Sequence, residues 1–115
     1  MNEAVFTRAQ ARIRQVQPGT VASSLHRYFV IDVREPQEVL DGFLPGALNV
    51  PRGVIEHRII ADSRFHDKEQ PILVYSRDGK RSALAALTLR ELGFTDVQSL
   101  AGGYSRWSDQ HLPVV

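Results

Sequence analysis

The residue types able to do chemistry concentrate in one stretch, Leu73-Val74-Tyr75-Ser76-Arg77-Asp78-Gly79-Lys80-Arg81-Ser82. An apolar, β-prone run ends at Tyr75, a short charged loop follows, and an alanine-rich helical pattern begins at Arg81. At such a junction the first amides of the helix have no intrahelical acceptor. With the helix dipole they favour a bound anion. Gly79 permits the backbone angles that a tight curl needs. Arg77, Lys80 and Arg81 add positive charge, which Asp78 partly offsets. Ligands of open α/β sheets bind beyond the carboxyl ends of the strands, where this loop falls. Two readings stay open on these features alone: an anion-binding loop, or an ordinary strand-to-helix connection with solvated charges. A Walker phosphate loop is excluded, because its Gly-x-x-x-x-Gly-Lys-Ser/Thr spacing is missing.

Ser76 is the one hydroxyl at the start of this loop, and a serine nucleophile needs an activating base. His26, His57, His66 and His111 are scattered and form no motif with it. They read as surface or helix-end residues. The chain has no cysteine, so disulfides, zinc–thiolate sites and thiol chemistry are absent from it. Neither a cofactor nor a metal is expected.

The elements that must position the loop are legible around it. Tyr28-Phe29-Val30-Ile31 and Pro71-Ile72-Leu73-Val74-Tyr75 are continuous apolar runs, which suit strands buried on both faces of a parallel sheet. Ala47–Val50 and Asp96–Leu100 are further strand candidates. Helical stretches are expected over Pro36–Leu40, Arg52–Ala61 and Arg81–Leu92, with another short helix over Thr20–Arg27. In the third of these, Ala85, Leu89 and Leu92 share a face, and Gly93 stops the helix. Val5, Ala9, Ile13 and Val16 are spaced for a helix from Asn2 to Gln15, with Arg8, Arg12 and Arg14 as its solvated side. Alternating strands and helices imply an α/β fold with a mostly parallel sheet.

At 115 residues the chain is one domain by length. Apolar residues are 43% and charged residues 23%, the composition of a soluble globular protein. A net charge of +1 gives no footprint for nucleic acid or an anionic membrane. No stretch approaches the ~18 apolar residues of a membrane span. The start, Met1 to Phe6, lacks the charged and apolar segments of a secretory signal, so the expected location is cytoplasmic.

Four segments, in order and over nearly the whole chain, resemble the rhodanese-like family. Ile31-Asp32-Val33-Arg34-Glu35-Pro36-Gln37-Glu38 is similar to its first strand and helix start. Gly42-Phe43-Leu44-Pro45-Gly46-Ala47 is similar to its Gly-His-Ile-Pro-Gly-Ala stretch. Val74-Tyr75-Ser76 through Arg81-Ser82 resembles its active-site loop. Leu92-Gly93-Phe94, then Leu100-Ala101-Gly102-Gly103-Tyr104 to Trp107, resembles its closing motif. The resemblance implies a three-layer sandwich over residues 18–115, with residues 1–17 as a helix packed on that domain. It also implies a sulfurtransferase. A cysteine at the start of the loop takes sulfane sulfur from a small anionic donor such as thiosulfate. It then passes the sulfur through a persulfide to cyanide, a thiol or a protein acceptor. Loop amides and a helix N-terminus depress a thiol pKa from its ordinary value of about 8.5 and hold the persulfide anion. Four residues separate Ser76 from Arg81, the family spacing, whereas the related phosphatases carry one more.

This sequence departs from the pattern at two places. Ser76 stands at the cysteine position, and a serine hydroxyl is far less acidic and forms no persulfide, so transfer is expected to be lost. Two explanations remain: a cysteine-to-serine replacement in a working enzyme, or a non-catalytic module that binds an anion or a protein. Phe43 stands where histidine is frequent, which bears on packing more than on mechanism. Asp32 and Arg34 are expected to support the site by holding neighbouring loops, with pocket lining as the alternative. Trp107 is expected to pack the closing helix on the core, and Gly102-Gly103 to supply a turn.

Overall fold

Each long strand buries side chains on both of its faces, and this decides the architecture. The computed structural model describes residues 3–115. Its sheet has five strands in the order β1-β5-β4-β2-β3, all paired in parallel. They are β1 (Arg14–Val16), β2 (Phe29–Asp32), β3 (Leu48–Asn49), β4 (Ile72–Tyr75) and β5 (Val97–Leu100). Along β4, Ile72 and Val74 join one core, while Leu73 and Tyr75 join the other. The period of two thus feeds two hydrophobic layers from one strand.

Helices α1 (Glu3–Arg12), α4 (Ile55–Ala61) and α5 (Lys80–Glu91) accompany the first layer. There Ile55, Ile59, Ala85, Ala86 and Leu89 meet Ile31, Val74 and Val97. The alanines of α5 let its axis approach the sheet, and Gly93 with φ of 102° ends the helix region in a left-handed turn. Helices α2 (Pro18–Val21) and α6 (Gly103–Asp109) lie in the second layer, where Val21, Leu25, Tyr104 and Trp107 pack on Val30, Leu73 and Leu100. The short α3 (Pro36–Val39) begins with a capping box between Glu35 and Glu38. The result is the expected three-layer α/β sandwich.

Three expectations change. The short helix expected over Thr20–Arg27 starts at Pro18 as α2 and continues as a 3-10 helix over Ala22–Arg27. Leu92 lies past the end of α5 and is exposed, off the face that Ala85 and Leu89 bury. The helix expected over residues 2–15 ends at Arg12, and residues 14–16 are the edge strand of the sheet. Its first residue, Asn2, lies outside the described residues. Ile13 and Val16 are both buried but belong to opposite core layers. Three residues apart, they would share a helix face, and an extended backbone sends them to opposite sides. Pairing with β5 supplies the backbone partners, and the Ala101 amide closes the ladder on the Val16 carbonyl at 2.8 Å.

Candidate functional site

The loop between β4 and α5 folds around Ser76. Gly79 caps α5 with φ of 92°, and a Cβ there would lie 3.2 Å from the Gly102 nitrogen and 3.3 Å from the Leu100 carbonyl. Glycine is therefore needed both for the angle and for the space. The Ser76 Oγ accepts hydrogen bonds from the amides of Gly79 (3.1 Å) and Ser82 (3.2 Å), and donates to the Ser82 Oγ at 3.2 Å. The Ser82 hydroxyl continues to the Ser99 hydroxyl on β5 at 2.8 Å. All three serines are buried. The Asp78 carboxylate accepts from the Lys80 amide at 3.0 Å. Among the described residues, the amides of Arg77, Asp78 and Arg81 have no acceptor.

Helix α6 fixes the direction of two of those free amides. The Tyr104 and Ser105 amides, in its first turn, donate to the carbonyls of Ser76 and Arg77, each at 2.9 Å. In a trans peptide the carbonyl and the next N–H point opposite ways. Docking these carbonyls on α6 therefore aims the Arg77 and Asp78 N–H groups away from it. Gly103 makes the docking possible: with φ of 59°, a Cβ there would fall 2.4 Å from the Ser76 carbonyl oxygen. The glycine pair read in the sequence as a turn is also the bearing surface of the loop.

A cleft of about 340 Å³ opens over the loop, with Val33, Arg34, Ser76, Arg77, Asp78 and Arg81 among its lining residues and Glu3, Phe6, Glu38 and Lys80 completing it. Three sequence-expected cations reach it, and two are neutralised. Arg77 pairs with Glu38 at 2.9 Å, and Lys80 pairs with Glu3 at 2.5 Å. Burial opposes ionisation of Glu38, but the Glu35 amide and Arg77 outweigh it and hold the carboxyl below its ordinary range. The Glu3 hydrogen bond raises the Lys80 ammonium pKa. Arg81 has no ion pair among the described residues.

Asp32 and Arg34 stand at the end of β2 and form a closed network beside the cleft. The Arg34 Nε and Nη2 donate to the Asp32 carboxylate at 2.7 to 3.1 Å, and the guanidinium also donates to the carbonyls of Glu38 (Nη1, 3.2 Å) and Gly42 (Nη2, 2.7 Å). The Tyr75 hydroxyl donates to Asp32 at 2.6 Å and accepts from the Leu44 amide at 3.1 Å. Burial first, then Asp32, pushes the Tyr75 phenol far above the tyrosine range, so it keeps its proton. Burial works against the Arg34 charge, and Asp32 more than compensates. The guanidinium also lies 4.2 Å over the Tyr104 ring. This network ties the 42–44 loop, α3 and both central strands together.

Other singled-out residues fall away from the cleft. The four histidines are exposed and none lines it. Trp107 is buried in the second core layer, its indole N–H donating to the Pro113 carbonyl at 2.8 Å. Phe43 lines a separate depression with Val39, Ala47 and Asn49. Sequence reasoning missed Ser82 and Ser99 as a hydroxyl chain, and Glu3 and Glu38 as counter-ions.

Comparison with known proteins agrees with this fold. A model of the rhodanese-like domain matches residues 17–110. Thiosulfate sulfurtransferase 16 of Arabidopsis thaliana, a chloroplastic protein, is 35% identical, covering 90% of this chain and 95% of its own. The chain spans 59 to 66% of the length of three other curated relatives. Among solved structures, the polysulfide-sulfur transferase of Wolinella succinogenes superposes with a TM-score of 0.83 at 30% identity, covering 98% of this chain and 85% of that one. A Rhodopseudomonas palustris protein described as a possible tyrosine phosphatase superposes at 0.90 with 28% identity, covering 98% and 92%. The chain belongs to the rhodanese-like domain family.

Proposed function

We propose that the Ser76–Arg81 loop is a sulfurtransferase site, competent when position 76 carries a thiol and restricted to anion binding with Ser76. One observation carries this reading: the Ser76 Oγ sits where the Gly79 and Ser82 amides converge, at the head of α5. The same cradle around a sulfur atom stabilises a thiolate or persulfide. The thiolate attacks the outer sulfur of thiosulfate, the sulfur–sulfur bond of the donor breaks, and sulfite leaves with the electron pair. An acceptor thiolate then attacks the outer persulfide sulfur, leaves as its own persulfide and returns the thiolate at 76. Relatives named as sulfurtransferases support a sulfur donor and acceptor as the partner class. The Ser76→Cys protein with thiosulfate and cyanide is expected to yield thiocyanate and to gain the mass of one sulfur atom. Absence of both refutes the reading.

A second reading rests on the lack of any cysteine in the chain: a non-catalytic module that recognises an anion or a protein. Calorimetry of the Ser76 protein with thiosulfate, sulfate and phosphate, together with recovery of a protein partner, tests it. The four-residue spacing argues against a phosphatase, and turnover of an aryl phosphate by Ser76→Cys would reverse that judgement. Among the described residues no helix is long and apolar enough to cross a membrane. A cytoplasmic location is part of the proposal and is tested by fractionation.

A further inference from the structure

A second pocket, of about 220 Å³, adjoins the cleft and is lined by Phe6, Arg52, Arg81 and Leu84. It shares Phe6 and Arg81 with the cleft over Ser76. We infer that this pocket is a subsite for the carboxylate of an acceptor thiol, whose sulfur end reaches position 76. The inference rests on the transfer chemistry proposed above.

Charge carries the argument. Arg34, Arg77 and Lys80 around the cleft are each matched by a carboxylate: Asp32, Glu38 and Glu3. Among the described residues Arg52 and Arg81 are not, and these two share the second pocket. The Arg52 Nε is buried without a hydrogen-bond partner and is too enclosed for a pocket ligand to touch, so the guanidinium meets the pocket at its Nη edge. That edge has no acceptor among the described residues, and a carboxylate is the acceptor whose geometry matches two parallel guanidinium donors. The backbone is anchored as well, because the Arg52 amide donates to the Val33 carbonyl at 3.1 Å at the end of β2.

The walls then select the ligand. Phe6 on α1 and Leu84 on α5 are apolar, so the occupant has a carbon skeleton between its charged end and its reactive end. Thiosulfate and cyanide have none. A small organic thiol with a terminal carboxylate has both parts. Its thiolate attacks the outer sulfur of the persulfide at position 76, the bond to the inner sulfur breaks, and the new persulfide departs. The carboxylate holds the molecule and takes no part in bond making.

The test uses a matched pair, 3-mercaptopropionate and the neutral 3-mercaptopropanol. In the Ser76 protein, the carboxylate thiol is expected to shift the NMR amide signals of Arg52 and of Arg81 to Leu84, with the neutral thiol weaker by roughly tenfold, the worth of one charge-assisted hydrogen bond. Arg52→Gln is expected to remove that preference. In the persulfide-loaded Ser76→Cys protein, the same substitution is expected to lower the preference in kcat/KM for the carboxylate thiol by about the same factor. A ratio of two acceptors on one sample is insensitive to the fraction folded. Equal response to both thiols overturns the subsite, and so does a loss that strikes both alike. Sulfate shifting the same amides as tightly as the carboxylate overturns the acceptor assignment in favour of a general anion site. Failure of Ser76→Cys to load sulfur refutes the transfer chemistry alone, because the titration of the Ser76 protein still decides the subsite.

Discussion

Two polar clusters stand at the carboxyl edge of neighbouring strands and are built on opposite rules. The network at the end of β2 is closed: Asp32, Arg34 and Tyr75 satisfy one another and the backbone of residues 38–44. The loop at the end of β4 is open, because the amides of Arg77, Asp78 and Arg81 have no acceptor among the described residues. A closed network holds shape, whereas an open one leaves hydrogen-bonding capacity for a ligand. Polar residues in the same position on the fold therefore divide between structure and chemistry according to what completes their hydrogen bonds.

Breaking the closed side has the largest expected effect. Arg34→Ala leaves the Asp32 carboxylate buried with no cation, and removal of one partner from a buried pair costs about 3–5 kcal/mol. Urea unfolding measures it. A loss under about 1 kcal/mol would mean that the network is not a keystone. The open side responds differently to a substitution beneath it. Gly103→Ala places a methyl group against the Ser76 carbonyl and Arg77 backbone at 2.4 to 2.7 Å. Overpacking of this kind costs about 1–3 kcal/mol. The amide signals of Arg77 and Asp78 are expected to move more than those of Asp32 and Arg34. Equal movement in both clusters would show that α6 supports the whole edge and not the loop in particular.

The sequence made the open side easier to find than the closed one. Strand β4, the loop and α5 are contiguous, and their pattern is local: an apolar run, a glycine at a left-handed cap, then alanines on a buried face. The Asp32–Tyr75 hydrogen bond joins residues 43 positions apart, and no local pattern marks such a partner. The same holds for Glu3 and Glu38, which neutralise Lys80 and Arg77 across the fold. Strand β1 escaped notice for another reason. It has three residues, and the helical spacing of Val5 and Ala9 runs on by coincidence into Ile13 and Val16. Only the pairing with β5 distinguishes the two.

The smallest expected effect sits where the two clusters touch, at the Glu38–Arg77 pair that bridges α3 to the loop. Its folded carboxyl titrates below the ordinary value of 4.5. A depressed acid contributes stability that is present above the unfolded value and is lost as pH falls through the folded one. The side chains are 30% and 51% exposed, so the pair is worth at most about 0.2–1 kcal/mol. Its effect on anion binding is clearer in sign. While Glu38 is ionised it competes with an anion for Arg77. Glu38→Gln is therefore expected to bind sulfate roughly 1.5- to 5-fold more tightly at neutral pH, the same energy expressed as affinity. As pH falls through the Glu38 pKa, the unsubstituted protein loses that competitor and the two affinities converge. Calorimetry across this range checks it, and a constant ratio of affinities would detach Glu38 from the open site and leave it to the closed network alone.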